Sequence, residues 1–451
     1  MKNRKRIIIG LAASLLILLC LFCVAGKDLI WEKKGNQNSE LQNAKQQEQN
    51  TVSDSRDEDN SVKLQEEESS EENDSTQEQE EKSQGEDNST QKQEEKSSEE
   101  ILQERIQDKL ASMTLEEKAA QLFIITPEAL TGYSHVTQAG EATRAALQEY
   151  PVGGLVYFEE NVVSEEQVLE MLKKQQSYSQ ERIGMPLFTA IDEEGGKVSR
   201  IAGNSGFDVP SFPYIPEIGA GQDVGRAYEL GDSIGEYLGR LGFNLDFAPV
   251  ADVLSNPENT VVKQRSYGSD PNIVSQMVQE NLKGLQKHRV YGCVKHFPGH
   301  GATKGDTHEG YAYTDKTWEE LSEEDMIPFK DSIAWGVDFV MVGHISLPNV
   351  GGDDVPASLS SHMISNLLRE ELGYDGIVLT DALNMGAITQ KYTSSQAAVG
   401  TILAGSDMIL MPADFRSAYE GVLNAVRDGT ITEERLDESL VRILRVKLLL
   451  S

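Results

Sequence analysis

Residues 295–308 read Lys-His-Phe-Pro-Gly-His-Gly-Ala-Thr-Lys-Gly-Asp-Thr-His, and an apolar run, Val290 to Val294, leads straight into them. Lys295 and His296 are not there for packing, because charges that close an apolar strand must find polar partners or water. Asp306 and His308, two residues apart in a glycine-flanked loop, can meet with the carboxylate on one imidazole nitrogen and the other nitrogen free. Such a pair moves protons near neutral pH. Asp381, in Gly-Ile-Val-Leu-Thr-Asp-Ala-Leu-Asn-Met, is a second candidate. A carboxylate directly after an apolar run is costly unless it is hydrogen-bonded or paired, although a simpler role as a helix N-cap is open to it. His296, His300, Asp306 and His308 also offer metal-ligand types. Their Gly/Pro spacing matches none of the tight zinc motifs, so neither a metal nor a cofactor is expected.

These residues have to be positioned, and the chain supplies a repeating pattern that could do it. Short apolar runs occur at 121–126, 154–158, 187–192, 244–250, 293–296, 339–344, 377–381 and 408–412, with amphipathic segments between them. Runs that are apolar on both faces and alternate with helical patterns predict a parallel sheet covered by helices. Closure into a (β/α)8 TIM-type barrel over residues 101–451 is the economical arrangement, and a doubly wound open sheet is the alternative. Against the open sheet, no Gly-x-Gly-x-x-Gly opens a helix after the first run. Polar residues cluster where the runs stop: Asp192-Glu193-Glu194-Gly195-Gly196, Asp246 and Asp252, Lys295 and His296, His344, and Asp381. In a barrel these ends share one face, which predicts a pocket able to bind a polyhydroxylated ligand and perform acid/base chemistry.

The 295–308 stretch resembles the signature loop of the bacterial β-N-acetylglucosaminidases of glycoside hydrolase family 3, in which Lys-His-(Phe/Ile)-Pro-Gly-His-Gly is followed by an Asp-(Ser/Thr)-His dyad. The resemblance covers essentially all of residues 101–451. It implies the barrel, with Asp381 as nucleophile and His308, supported by Asp306, as acid/base. It also implies sugar binding by Asp192, Arg200, Arg265, Lys295 and His296. Glu193 stands where relatives usually have Gln, and Ala382 where many have a second Asp. The ordinary alternative for each arginine is a surface salt bridge. The implied activity is retaining removal of terminal β-linked N-acetylglucosamine from oligosaccharides such as peptidoglycan or chitin fragments. A phosphorylase and a non-catalytic glycan-binding surface protein are the alternatives.

The N-terminal 100 residues differ in kind. Lys2, Arg4, Lys5 and Arg6 precede an apolar run at 7–25, and about 20 such residues span a bilayer as a helix. Val24-Ala25-Gly26 is a poor cleavage site, and the residues before Cys20 and Cys23 are too bulky for lipid attachment. Residues 1–30 are therefore expected to anchor the chain in the cell membrane with the catalytic part outside, secretion after cleavage being the alternative. From 31 to 100 the chain is rich in Glu, Gln, Ser, Asn and Lys, with an imperfect repeat at 75–83 and 89–97. Such a composition cannot bury enough apolar surface to fold and predicts a disordered, acidic tether. Cys293 is the one cysteine beyond the apolar run, which leaves no disulfide. The formal net charge of -33 argues against a nucleic-acid partner.

Overall fold

The computed structural model describes residues 97–450 apart from 309, 311 and 352–354. The expected membrane segment, and the expected tether up to residue 96, lie outside the described residues. Among the described residues no helix is long and apolar enough to cross a membrane. Helix α1 (Ser98–Ser112) starts inside the stretch expected as tether. The reason is local. Ser97, the last residue of the second repeat, forms a capping box with Glu100, and Leu102, Ile106 and Leu110 are buried.

Eight parallel strands follow in the predicted places: β1 (Phe123–Ile125), β2 (Gly154–Tyr157), β3 (Phe188–Ile191), β4 (Leu245–Asp246), β5 (Tyr291–Phe297), β6 (Phe339–Val342), β7 (Ile377–Thr380) and β8 (Ile409–Leu410). They pair in chain order from β1 to β7, and β8 returns to β1. Between β7 and β8 the seam is a single bridge, Leu379 to Met408, with Thr380 N–H on Met408 O at 3.2 Å. The sheet is thus a nearly closed parallel barrel, consistent with the TIM-type arrangement.

Helices lie between the strands. α2 (Glu165–Ile183) joins β2 to β3, α3 (Val224–Leu241) joins β3 to β4, and α4 (Pro271–Lys287) joins β4 to β5. Asp270 caps α4 through the Asn272 and Ile273 amides, and Pro271 takes the first turn, where its missing N–H costs nothing. α3 and α4 approach closely through small residues: a Cβ on Gly231 would stand 2.1 Å from Asn281 O, and one on Gly284 2.3 Å from Asp232 N.

The barrel interior is packed rather than open. Phe188 and Phe339 meet edge to face with centroids 5.4 Å apart. The last helix, α5 (Glu433–Leu450), carries Lys447, which is fully buried. Its Nζ lies 2.8 Å from Gln121 Oε1 and 5.0 Å from the Phe188 ring centroid. Burial, helped by the Lys109 charge, pushes its pKa down to about 7.

Candidate active site

The end of β3 runs into a short ribbon, Glu193–Gly195 against Val198–Ser199. Alternation along extended backbone sends Asp192 and Glu194 to one side and Glu193 to the other. Asp192 and Glu194 each accept from Lys295 Nζ at 2.7 Å. Arg265 grips Glu194 with two bonds, Nε to Oε2 at 2.8 Å and a terminal nitrogen to Oε1 at 2.6 Å. Glu194 and Lys295 are buried, and the ion pairs offset the cost of that burial. Burial opposes the Glu194 charge, but Arg265 and Lys295 outweigh it and hold the carboxyl well below the usual range. The same exchange raises the Arg265 and Lys295 pKa values despite burial. Glu193 points inward, where its carboxylate accepts the Arg200, Ile201 and Ala202 amides and the Tyr237 hydroxyl.

Lys295 and His296 are neighbours on β5, yet both reach the cavity. The pairing register with β6 slips between Val294 and Phe297, and such an irregularity re-aims side chains. The peptide bond joining the two residues is cis. His296 Nδ1 lies 2.7 Å from Asp252 Oδ2, while Asp252 Oδ1 accepts the His296 and His300 amides at 3.1 and 2.6 Å. Asp252 is fully buried, and the two imidazoles and these amides overcome that burial to hold its carboxyl below the usual range. On the other side of the ring, His296 Nε2 lies 3.5 Å from a terminal nitrogen of Arg265.

Asp381 follows β7, and its Oδ1 accepts the Ala382 amide at 2.8 Å. Burial alone would favour its neutral form. The His296 and His344 imidazoles, that amide and Lys295 prevail and hold its pKa at about 2. His344 supports the next carbonyl: its Nε2 lies 2.9 Å from Ala382 O, and its Nδ1 lies 2.7 Å from Ser358 Oγ. Across the cavity, Asp306 Oδ1 accepts the His308 amide at 2.9 Å and lies 2.8 Å from His308 Nδ1. His308 Nε2 is therefore the nitrogen left for a ligand. His300, buried and pushed down to about 4 by that burial and by His296, stays neutral near pH 7, with its ring between Thr303 and Thr307. Two backbone bonds seat the loop, Gly386 N–H on His308 O at 3.3 Å and Ala387 N–H on Thr307 O at 3.2 Å.

All eight residues singled out from sequence, Asp192, Arg200, Arg265, Lys295, His296, Asp306, His308 and Asp381, line one cavity of about 500 Å³ at the C-terminal ends of the strands. Its apolar lining includes Val156, Phe158, Phe247, Met341 and Leu410. The expectation that every polar strand end reaches this pocket needs correction. Asp246, Asp252 and His344 stand behind the lining and support it. Asp246 is buried under the ribbon, where Oδ1 accepts the Glu193 amide at 2.9 Å, and burial raises its pKa well above the usual carboxylate range. Sequence reasoning gave Glu194 no role, although its spacing of two from Asp192 was the available signal. Arg265 is salt-bridged, but to a buried partner within the site rather than at the surface.

Residues 114–446 match the family described as "Glycosyl hydrolase family 3 N terminal domain". The chain is 33% identical over 325 residues to Beta-hexosaminidase A of Pseudoalteromonas piscicida, covering 67% of this chain and 54% of that protein. It is 35% identical over 271 residues to Beta-hexosaminidase LpqI of Mycobacterium tuberculosis, covering 58% and 68%. Among solved structures it is similar to a glycoside hydrolase family 3 beta-N-acetylglucosaminidase from Paenibacillus sp. str. FPU-7, with 38% identity and a TM-score of 0.70 over 75% of this chain and 62% of that one. It thus spans about half the length of the Pseudoalteromonas relative and somewhat more of the Paenibacillus one. With the family pattern matched over most of the chain and its polar residues gathered in one barrel-end cavity, the chain belongs to glycoside hydrolase family 3.

Proposed function

We propose that the protein is a retaining exo-glycosidase that hydrolyses terminal, non-reducing β-linked N-acetylglucosamine from oligosaccharides. The observation that carries this reading is the pairing, in one cavity, of a carboxylate held ionised at Asp381 with an Asp306-supported imidazole at His308. In the first step an Asp381 oxygen bonds to the anomeric carbon while the bond to the leaving oxygen breaks, and His308 Nε2 delivers its proton to that oxygen. In the second, His308 takes a proton from water as the hydroxyl displaces Asp381, which regenerates both groups. The Asp306 carboxylate fixes the imidazole and stabilises the imidazolium that the first step needs. Asp192, Arg200, Arg265, Lys295 and His296 hold the sugar hydroxyls. With its pKa at about 2, Asp381 stays ionised across the working pH range, so loss of activity on acidification does not come from the nucleophile.

Release of nitrophenol from the β-N-acetylglucosaminide and the β-glucoside, with and without phosphate, tests this reading. Preference for the acetamido sugar without phosphate dependence supports it. Cleavage of the glucoside alone overturns the specificity, phosphate-dependent release of a sugar phosphate makes the protein a phosphorylase, and saturable binding without turnover makes it a glycan receptor. The names of the relatives, beta-hexosaminidase and beta-N-acetylglucosaminidase, support the amino-sugar choice. Peptidoglycan or chitin fragments are the proposed physiological source. Residues 1–30 are proposed to hold the enzyme at the cell membrane with its barrel outside.

A further inference from the structure

Glu193 is fully buried and faces away from the sugar cavity, so neither proton transfer nor sugar contact falls to it. Its Oε2 accepts the Arg200 amide at 2.5 Å and the Ile201 amide at 2.9 Å. Its Oε1 accepts the Ala202 amide at 3.0 Å and the Tyr237 hydroxyl at 2.8 Å. Four donors fill the acceptor sites of one carboxylate. Three of them are consecutive amides, so a single side chain fixes the backbone from which Arg200 springs. The Glu193 amide in turn donates to Asp246 Oδ1, which ties this anchor to β4. Arg200 lines the cavity with its guanidinium 5.6 Å from the Phe158 ring centroid, and its Nε is buried with no hydrogen-bond partner. A buried donor left unanswered is costly, and a ligand hydroxyl in the cavity would answer it.

We infer that Glu193 is a positioning residue for sugar binding: it acts through Arg200, pre-setting residues 200–202 so that the arginine meets the terminal sugar without reordering. The inference rests on the glycosidase reading above. Pre-ordering a loop removes part of the cost of binding, and it does so equally for substrate and transition state. The role asks for a carboxylate. Gln at this position could keep its oxygen on the Arg200 and Ile201 amides. Its NH2 would then face the Ala202 N–H, donor against donor, and that bond would be lost.

The test is a double-mutant cycle on the full chain with wild type, Glu193→Gln, Arg200→Ala and the double variant, assayed on 4-nitrophenyl β-N-acetylglucosaminide. Glu193→Gln is expected to raise KM about ten-fold with kcat within about two-fold, the pattern of lost uniform binding. In the Arg200→Ala background the same change is expected to move KM by less than about two-fold, because the two residues act as one unit. An equal effect in both backgrounds, or a fall in kcat at constant KM, overturns the inference. Calorimetric titration of the four proteins with N-acetylglucosamine repeats the cycle on binding alone. Failure of the glycosidase reading then shows as absent turnover in the wild type, and failure of this inference as absent coupling in binding; absence of both turnover and binding overturns both. If Glu193→Gln does not fold, Tyr237→Phe removes one donor from the same carboxylate. It is expected to raise KM about three-fold in the wild-type background only, and an unchanged KM counts against the inference.

Discussion

At Asp381, replacing one oxygen by an amide nitrogen separates the chemistry from the fold. Asp381→Asn is expected to lower kcat by at least about 10³-fold, because no other carboxylate occupies its place. Binding of N-acetylglucosamine and the melting temperature should survive, and calorimetry with thermal unfolding checks both. His308→Ala is expected to cost about 10²–10⁴-fold on chitobiose, whose leaving oxygen needs a proton, and much less on the nitrophenyl glycoside, whose leaving group departs as a stable anion. Equal losses on the two substrates would remove His308 from the acid role. These residues were legible because a charge at the end of an apolar run, or an acid two residues from an imidazole in a glycine-rich loop, has few structural explanations. Their supports were harder to read. Asp252 is a single acid beyond β4 whose partner lies 44 residues away, and only the folded barrel shows that it accepts from His296. Glu194 had a local signal, the two-residue period of extended chain, but its meaning depended on Arg265, 71 residues on.

The strands were the most legible elements, since runs apolar on both faces have few homes other than a covered parallel sheet. Their ends were less so: β4 and β8 are two residues each where longer runs were expected. Packing between elements was not legible at all. At Gly231 and Gly284 helices α3 and α4 touch backbone to backbone, and Gly284→Ala is expected to destabilise the fold by about 2 kcal/mol or more, as overpacking does. Urea unfolding measures it. Lys447 on α5 makes a pH-dependent case. Its pKa falls from the ordinary 10.5 to about 7 on folding, so between those values the unfolded chain binds more protons and stability rises with pH. Below about 7 the cost of the buried charge is felt in full. Lys447→Met, which fills similar volume, is therefore expected to stabilise by about 2 kcal/mol at pH 6 and by clearly less at pH 9.5, read from urea midpoints. A gain that grows with pH would contradict the assignment.

At the scale of the whole molecule, helix α1 begins inside the stretch expected as tether, through a capping box at Ser97 that low-complexity composition disguised. The proposed anchor predicts that the full chain sediments with membranes that have been washed at high pH and that a chain lacking residues 1–30 does not, while both keep the same KM on a small substrate. The loop that carries Asp306 and His308 shows what the barrel makes available over longer times. It is stitched to the turn after β7 by two backbone bonds, from Gly386 and Ala387 to His308 and Thr307. Main-chain bonds do not depend on which side chains flank them. Sequence flanking Asp306 and His308 can therefore drift, changing which leaving group the mouth of the pocket welcomes, while the proposed proton donor and nucleophile keep their mutual placement. Descendants of such a barrel inherit one reaction and remain free to change diet.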